Sequence, residues 1–116
     1  MNKTIKCSDL KVTIYVEDTD FQGFVYHANY LKFFERARSE FLSINKISQK
    51  SLRKLNLAFV IKEVQLNFIS AAELGDILIV KSSVKKSSNA RMIFFQKVVD
   101  LDNKEFINGR IEVCLI

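Results

Sequence analysis

One stretch with helical periodicity, followed by several stretches that alternate like strands, limits the folds open to this chain. Between about Ala28 and Ile44 the apolar residues recur every three or four positions, as they do on one face of an α-helix. A helix with so apolar a face needs a broad apolar cover, and a sheet is the usual one. The sequence therefore predicts one long helix packed against a sheet.

Strand-like stretches stand on both sides of this helix. One precedes it, and four follow it in series; the five cover residues 10–16, 57–68, 77–84, 91–99 and 106–115. A short polar helix is expected at 48–55, with Ser48 as its N-cap. Consecutive strands beside one helix favour an α+β fold with an antiparallel sheet. We expect about five strands wrapped around the long apolar helix, in a single domain that spans residues 1–116.

Charge and cysteine content narrow the functional classes. The chain has 18 Lys and Arg against 13 Asp and Glu, a net charge of +5 that favours an anionic partner. Cys7 and Cys114 form no metal-binding motif with the one histidine, His27, so we expect ordinary thiols and no metal site. No apolar run is long enough to span a membrane, and the N-terminus lacks an apolar signal core. These features predict a cytoplasmic protein.

A polar and aromatic block leads into the predicted helix. Residues 16–38 read VEDTDFQGFVYHANYLKFFERAR, with the carboxylates Glu17, Asp18 and Asp20 in four consecutive positions and the chain's one histidine seven residues after the last of them. A polar loop before a helix is often no more than a turn. The composition of this loop alone therefore leaves open whether it is a turn or a site.

This block resembles the signature of the hotdog-fold acyl-CoA thioesterases, and their YbgC type most closely, which is related to the 4-hydroxybenzoyl-CoA thioesterases. The family pattern is D-x-D, a glycine three residues later, an aromatic or histidine pair, Asn-Tyr, and a helix rich in E-R-A-R. The matching residues here are Asp18, Asp20, Gly23, Tyr26, His27, Asn29, Tyr30, Glu35, Arg36, Ala37 and Arg38. Weaker similarity continues at 68–80 and 87–100. Relatives often carry a tyrosine directly before E-D-T-D, where this chain has Val16.

The resemblance implies hydrolysis of acyl-CoA or acyl-carrier-protein thioesters to a free acid and a thiol. It implies that Asp20 is the nucleophile or the general base, and that the backbone N–H of His27 polarises the thioester carbonyl. Both roles suit the chemistry, because hydrolysis needs an activated nucleophile and donors for the developing oxyanion. No cofactor is implied, since coenzyme A is part of the substrate. The candidate substrate contacts around the two catalytic groups are Gly23, Tyr26, Asn29 and Tyr30.

Further along the chain, basic residues of a predicted hairpin could receive the phosphates of coenzyme A. They are Lys85, Lys86 and Arg91. A simply solvated hairpin is the alternative interpretation. Glu35 and Arg38, in the long helix, are expected to form ion pairs at the surface or at an interface.

The resemblance also implies a homo-oligomer, in which two copies pair edge to edge as a dimer and commonly form a homotetramer. It leaves peripheral association with a membrane open. Two other functions compete: a hydroxyacyl-thioester dehydratase of the same fold, and a non-catalytic module that binds acyl chains or nucleic acid. The spacing from D-T-D to Y-H-A-N-Y favours the thioesterase. The basic residues alternate with acids and form no long stripe, so we expect no nucleic-acid partner.

Overall fold

The computed structural model describes residues 3–116, which form six strands and two helices. The strands are β1 (Thr4–Lys6), β2 (Leu10–Thr13), β3 (Phe59–Phe68), β4 (Ile77–Ser88), β5 (Arg91–Asp100) and β6 (Glu105–Leu115). The helices are α1 (Asn29–Ile44) and α2 (Gln49–Lys54). No helix in this part of the chain is long and apolar enough to cross a membrane. The observed architecture confirms the predicted α+β class.

The strands form one antiparallel sheet in the order β1-β4-β5-β6-β3, with β2 also paired to β4. β1 and β2 share one edge of β4, since Thr4 lies opposite Lys85 and Leu10 lies opposite Val80. The sheet has one strand more than the predicted five or so. The extra strand is β1, whose three residues are too few to show an alternating pattern in the sequence.

The first predicted strand ends earlier than expected. β2 stops at Thr13, and residues 16–18 form a turn of 3-10 helix. Asp18 causes this change, because its Oδ2 accepts a hydrogen bond from the amide of Tyr15 at 2.9 Å and draws the chain out of the sheet. The loop therefore turns toward the start of α1 two residues before the D-T-D run begins.

The core lies between α1 and the sheet face that it covers. Phe33, Phe34 and Ala37 of the helix are almost fully buried, as are Leu78 and Val80 of β4. In β4 every second side chain points to the helix, which is the alternation of a half-buried strand. The helix packs over β2, β4 and β5. The residues of β3 on the same sheet face, such as Val64 and Phe68, remain exposed beside it.

Candidate active site

The carboxylate of Asp20 holds the tight turn in which it lies. Its Oδ1 accepts hydrogen bonds from the amides of Gln22 at 2.9 Å and Phe24 at 3.3 Å. Gly23 completes the turn with a φ of +87°, a conformation that residues with a side chain rarely adopt. Within residues 3–116, nothing donates a hydrogen bond to Oδ2 of Asp20. One oxygen of the carboxylate thus fixes the turn, and the other stays available.

Asp18 ties this loop to the start of the helix. Its carbonyl oxygen accepts hydrogen bonds from the side-chain amide of Asn29 at 2.8 Å and from the backbone amide of Tyr26 at 3.0 Å. Next to it, Thr19 pairs with Val25 in an isolated antiparallel bridge. These contacts place the chain that leads into Asp20 beside the chain that leads into His27.

The helix begins at a point where two backbone amides lack an acceptor. Asn29 N–H donates to Tyr26 O at 2.8 Å and Tyr30 N–H donates to His27 O at 3.3 Å. The amides of His27 and Ala28 donate to no acceptor in the part of the chain that the structure describes. Such groups stand at the positive end of the helix dipole. They can therefore bind an oxygen atom that carries or develops negative charge.

The His27 side chain is exposed and lies among aromatic rings. Its ring centroid is 4.6 Å from that of Tyr26 and 6.3 Å from that of Phe68, which it meets edge to face. Phe68 also lies 6.2 Å from the ring of Tyr30. Sequence reasoning did not select Phe68 for the site, and its place at the end of a strand gives no local signal for such a role.

Two of the residues predicted to contact substrate, Asn29 and Tyr30, form hydrogen bonds with other parts of the chain. Asn29 and Tyr30 are both buried; the amide of Asn29 is engaged by Asp18, and the Tyr30 hydroxyl accepts a hydrogen bond from Ala72 N–H at 3.2 Å. Burial raises the pKa of the Tyr30 hydroxyl, an effect that the Ala72 hydrogen bond opposes and the charge of Asp76 adds to. These residues hold the loop and the strand connection against the helix. Tyr26, by contrast, keeps 48% of its surface exposed.

The three basic residues predicted for the phosphates do not share one surface. Lys85 and Lys86 are neighbours in β4, so their side chains point to opposite faces of the sheet. The ammonium of Lys85 lies 5.9 Å from the ring centroid of Phe95. Arg91 Nη1 lies 3.5 Å from Glu112 Oε2 in an ion pair. Lys86 and Arg91 do line the same pocket, of about 200 Å³, near the turn between β4 and β5.

Comparison with known proteins decides the family. Residues 14–116 match the model of the thioesterase-like superfamily. The chain belongs to this family. Acyl-CoA thioesterase YbgC of Haemophilus influenzae is 44% identical over 89 residues, which cover 76% of this chain and 65% of that protein. Acyl-CoA thioester hydrolase YbgC of Escherichia coli O157:H7 is 36% identical over 92 residues, which cover 79% of this chain and 69% of that protein.

A solved structure agrees with these relatives. The crystal structure of a probable thioesterase from Bartonella henselae superimposes with a TM-score of 0.86 at 34% identity, over 94% of this chain and 90% of that one. The predicted membership of the YbgC-type hotdog thioesterases is confirmed. The matched segments span 65% and 69% of the two YbgC proteins, so this chain corresponds to about two thirds of their length.

Proposed function

We propose that this chain hydrolyses acyl-CoA thioesters to a free acid and coenzyme A. The observation that carries the proposal is the pair of amides at His27 and Ala28, which have no acceptor among the described residues and follow the turn that holds Asp20. The chain's relatives are named acyl-CoA thioesterase and acyl-CoA thioester hydrolase. An oxyanion formed at a thioester carbonyl needs donors of this kind, and a fixed helix start provides them without reorganisation.

In this mechanism the thioester carbonyl oxygen sits on the His27 amide. The free Oδ2 of Asp20 either attacks the carbonyl carbon or removes a proton from an attacking water. Negative charge then builds on the carbonyl oxygen, where the amide and the helix dipole stabilise it. Collapse of the tetrahedral intermediate breaks the carbon–sulfur bond and releases the thiolate. Where water is the nucleophile, this yields the free acid directly; where Asp20 attacks, it leaves an acyl–Asp20 anhydride, which a water molecule then hydrolyses to the free acid and the Asp20 carboxylate. The exposed His27 ring lies where it can orient water or protonate the leaving thiolate.

The basic residues Lys85, Lys86 and Arg91 remain our candidates for the phosphates of coenzyme A. Lys86 and Arg91 support this proposal because they line one pocket. The ion pair with Glu112 counts against Arg91, because it partly neutralises the charge of that side chain. Reversing the charge in the double variant Lys85→Glu, Lys86→Glu should raise the KM for an acyl-CoA. An unchanged KM would remove these lysines from the substrate site.

We further propose that two copies pair along β3. In residues 3–116 this ten-residue strand is hydrogen-bonded along one edge, to β6, and its other edge is open. Ile61, Val64 and Phe68 are exposed on it, and a long, apolar open edge favours pairing with another strand. Two such dimers would make the expected homotetramer. Light scattering coupled to size-exclusion chromatography measures the assembly, and a monomer at micromolar concentration would contradict it.

Thiol release over a panel of acyl-CoA and acyl-carrier-protein thioesters tests the proposed function. We expect hydrolysis of at least one class of acyl-CoA in a cytoplasmic enzyme that needs no added cofactor and no nucleic acid. A protein that is folded yet releases no thiol from any member of the panel would contradict the proposal.

A further inference from the structure

Phe68 is the last residue of β3, and its backbone is fixed on both sides of that point. Within the strand it pairs with Ile107 of β6. The next two amides, of Ile69 and Ser70, donate hydrogen bonds of 2.9 and 3.1 Å to one carbonyl of β6, that of Phe106. The chain therefore bends out of the sheet directly after Phe68, along a course that β6 sets. A side chain on such a rigid element is held more precisely than one on a loop.

The core holds the Phe68 ring from one side. The ring centroid of Tyr30 is 6.2 Å away, with the two planes at 62°. Tyr30 is buried, its hydroxyl accepts a hydrogen bond from Ala72 N–H, and its ring meets that of the buried Phe33 edge to face at 6.1 Å. Tyr30 is thus fixed at both its hydroxyl and its ring, and it offers Phe68 a rigid neighbour.

The other side of the Phe68 ring meets the imidazole of His27. The two centroids are 6.3 Å apart and the planes lie at 86°, a favourable edge-to-face arrangement. Tyr26 packs against the imidazole from another direction at 4.6 Å. An exposed imidazole can rotate about two side-chain bonds, and rings in two directions restrict both rotations. A series of rings, from Tyr30 through Phe68, therefore connects the core to His27.

The orientation of this imidazole matters for the chemistry proposed above. A general acid must come within about 3 Å of the atom that it protonates. An imidazole that turns away from the start of α1 cannot reach a thiolate that leaves from a carbonyl held on the His27 amide. Rotational freedom of the ring would therefore lower the rate of the step that releases the thiol, even though the ring itself is intact.

We propose that Phe68 is a positioning residue, whose ring holds the His27 imidazole in the orientation that protonates the leaving thiolate. This role rests on the proposed function, whereas the contact between the two rings does not. Phe68 acts through His27, so its effect should be seen both in the signals of the imidazole and in a dependence of its kinetic effect on His27.

NMR of the imidazole tests the contact directly. His27 is the only histidine in the chain, so its carbon-bound ring protons give the only histidine signals of the protein. We expect cross-relaxation between these protons and the ring protons of Phe68. Phe68→Leu keeps an apolar side chain but removes the ring, so it should move the imidazole signals toward their positions in the unfolded protein. Signals that stay in place in a folded Phe68→Leu would overturn the proposal.

A double-mutant cycle tests the role. Phe68→Leu should lower kcat for an acyl-CoA about fivefold with little change in KM, the size expected for the loss of one aromatic pair. In the His27→Ala background, which keeps the backbone amide, the same substitution should have no further effect. Phe68→Tyr keeps the ring and should retain both kcat and the imidazole signals. An equal fall in kcat in the two backgrounds would overturn the proposal.

A comparison with Val64 separates this role from an effect on pairing of two copies. Val64 lies on the same face of β3 as Phe68 and is also exposed, but it carries no ring. A weaker dimer would lower activity in Val64→Ala too, and the loss would shrink as the protein concentration rises. The loss in Phe68→Leu should not depend on concentration. A loss that disappears at high concentration would overturn the proposal.

Ser82→Ala controls for a loss of stability alone. The Ser82 hydroxyl accepts a hydrogen bond from Gln96 Nε2, and Gln96 Oε1 accepts one from Arg38 Nη1, each at 3.0 Å. Arg38 is 8% exposed and forms no ion pair among the described residues, so the prediction of an ion pair for it is wrong. This network makes no ring contact with His27. Ser82→Ala should therefore lower stability and leave the imidazole signals and kcat unchanged.

The proposed function and the role of Phe68 fail in different ways. A wild type that releases no thiol from any acyl-CoA refutes the proposed function and the kinetic role with it, and the NMR result then decides the ring contact alone. A wild type that releases thiol, with full kcat in both His27→Ala and Phe68→Leu, refutes the positioning role and leaves the proposed function standing.

Discussion

Two groups of hydrogen-bond donors on α1 differ in their surroundings. At its start, the donors are the backbone amides of His27 and Ala28, which find no acceptor in residues 3–116 and lie beside an exposed loop. Further along, the donor is the Arg38 side chain, which is buried and bonded to Gln96. The first arrangement costs little because water reaches it. The second needs a network, since a buried charge without partners would destabilise the fold.

This difference suggests that the loop before α1 serves activity and that the Arg38 region serves stability. The loop before α1 is held by its own short hydrogen bonds, through Asp18 and one oxygen of Asp20, and Oδ2 of Asp20 accepts no hydrogen bond from residues 3–116. The Arg38 region is held by bonds that join α1 to β4 and β5. We therefore expect substitutions in the loop to change activity with little loss of stability, and substitutions around Arg38 to do the reverse.

Asp20→Asn should have the largest effect, a fall in kcat of about a thousandfold, because an amide can neither attack nor accept a proton as a carboxylate does. The oxygen that accepts from Gln22 and Phe24 is retained, so the turn should survive. Asp18→Asn is the matched control, since it also keeps its acceptor for Tyr15 and lies two residues away. Thiol release measures both variants, and wild-type kcat in Asp20→Asn would break the assignment of chemistry to this loop.

Gln96→Leu should lower the free energy of unfolding by about 3 kcal/mol, because it removes the acceptor of a buried guanidinium. It also removes the hydrogen bonds that Gln96 donates to the Ser82 hydroxyl and to the Phe34 carbonyl. Urea denaturation followed by circular dichroism measures the change. Ser82→Ala, which removes one hydrogen bond, should cost about 1 kcal/mol. Equal stability of the two variants would show that the hydrogen bond from Arg38 to Gln96 adds little to the stability of the fold.

Tyr30→Phe should cost about 1–2 kcal/mol, because it leaves the buried Ala72 amide without an acceptor. Tyr30 lies in the first turn of α1, so the loss of stability arises beside the candidate active site and not beside Arg38. Thermal unfolding and thiol release, measured on the same sample, show whether the variant loses stability, activity or both. A variant as stable as the wild type would mean that another acceptor, such as water, takes over the Ala72 amide.

Alkaline pH should produce the smallest effect. Burial raises the pKa of the Cys7 thiol above its ordinary value of 9.0, and it raises the pKa of the Tyr30 hydroxyl above 10.0. The unfolded chain therefore loses these protons first. Stability is full below the unfolded-state values and declines as pH rises through the folded-state ones. Cys7→Ala should remove the part of the decline that begins near pH 9; an unchanged curve would contradict the contribution of Cys7.

Local patterns in the sequence predicted the elements well. The period of α1 placed its start one residue before Asn29 and its end at Ile44, and the alternation of β3 correctly put Val64, Leu66 and Phe68 on one face. These features depend on neighbours within a few positions. The candidate catalytic loop was proposed from a motif of the same local kind.

Features that depend on distant partners were not predictable in this way. Arg38 looked like a surface residue, because its acceptor Gln96 is 58 positions away and lies in a strand. Ile44 looked like a core residue from its spacing, yet it is 62% exposed, at the last position of α1. Phe68 enters the site through the fold alone.

The central claim is that the His27 amide binds the carbonyl oxygen of the thioester. The most direct measurement is a proton–nitrogen NMR titration of the labelled protein with a non-hydrolysable acyl-CoA analogue in which a methylene group separates sulfur from a ketone carbonyl. The account predicts that the His27 amide proton moves downfield as it gains an acceptor, and moves further than the other amides of the first turn of α1. A saturating titration in which the His27 amide does not move would contradict it.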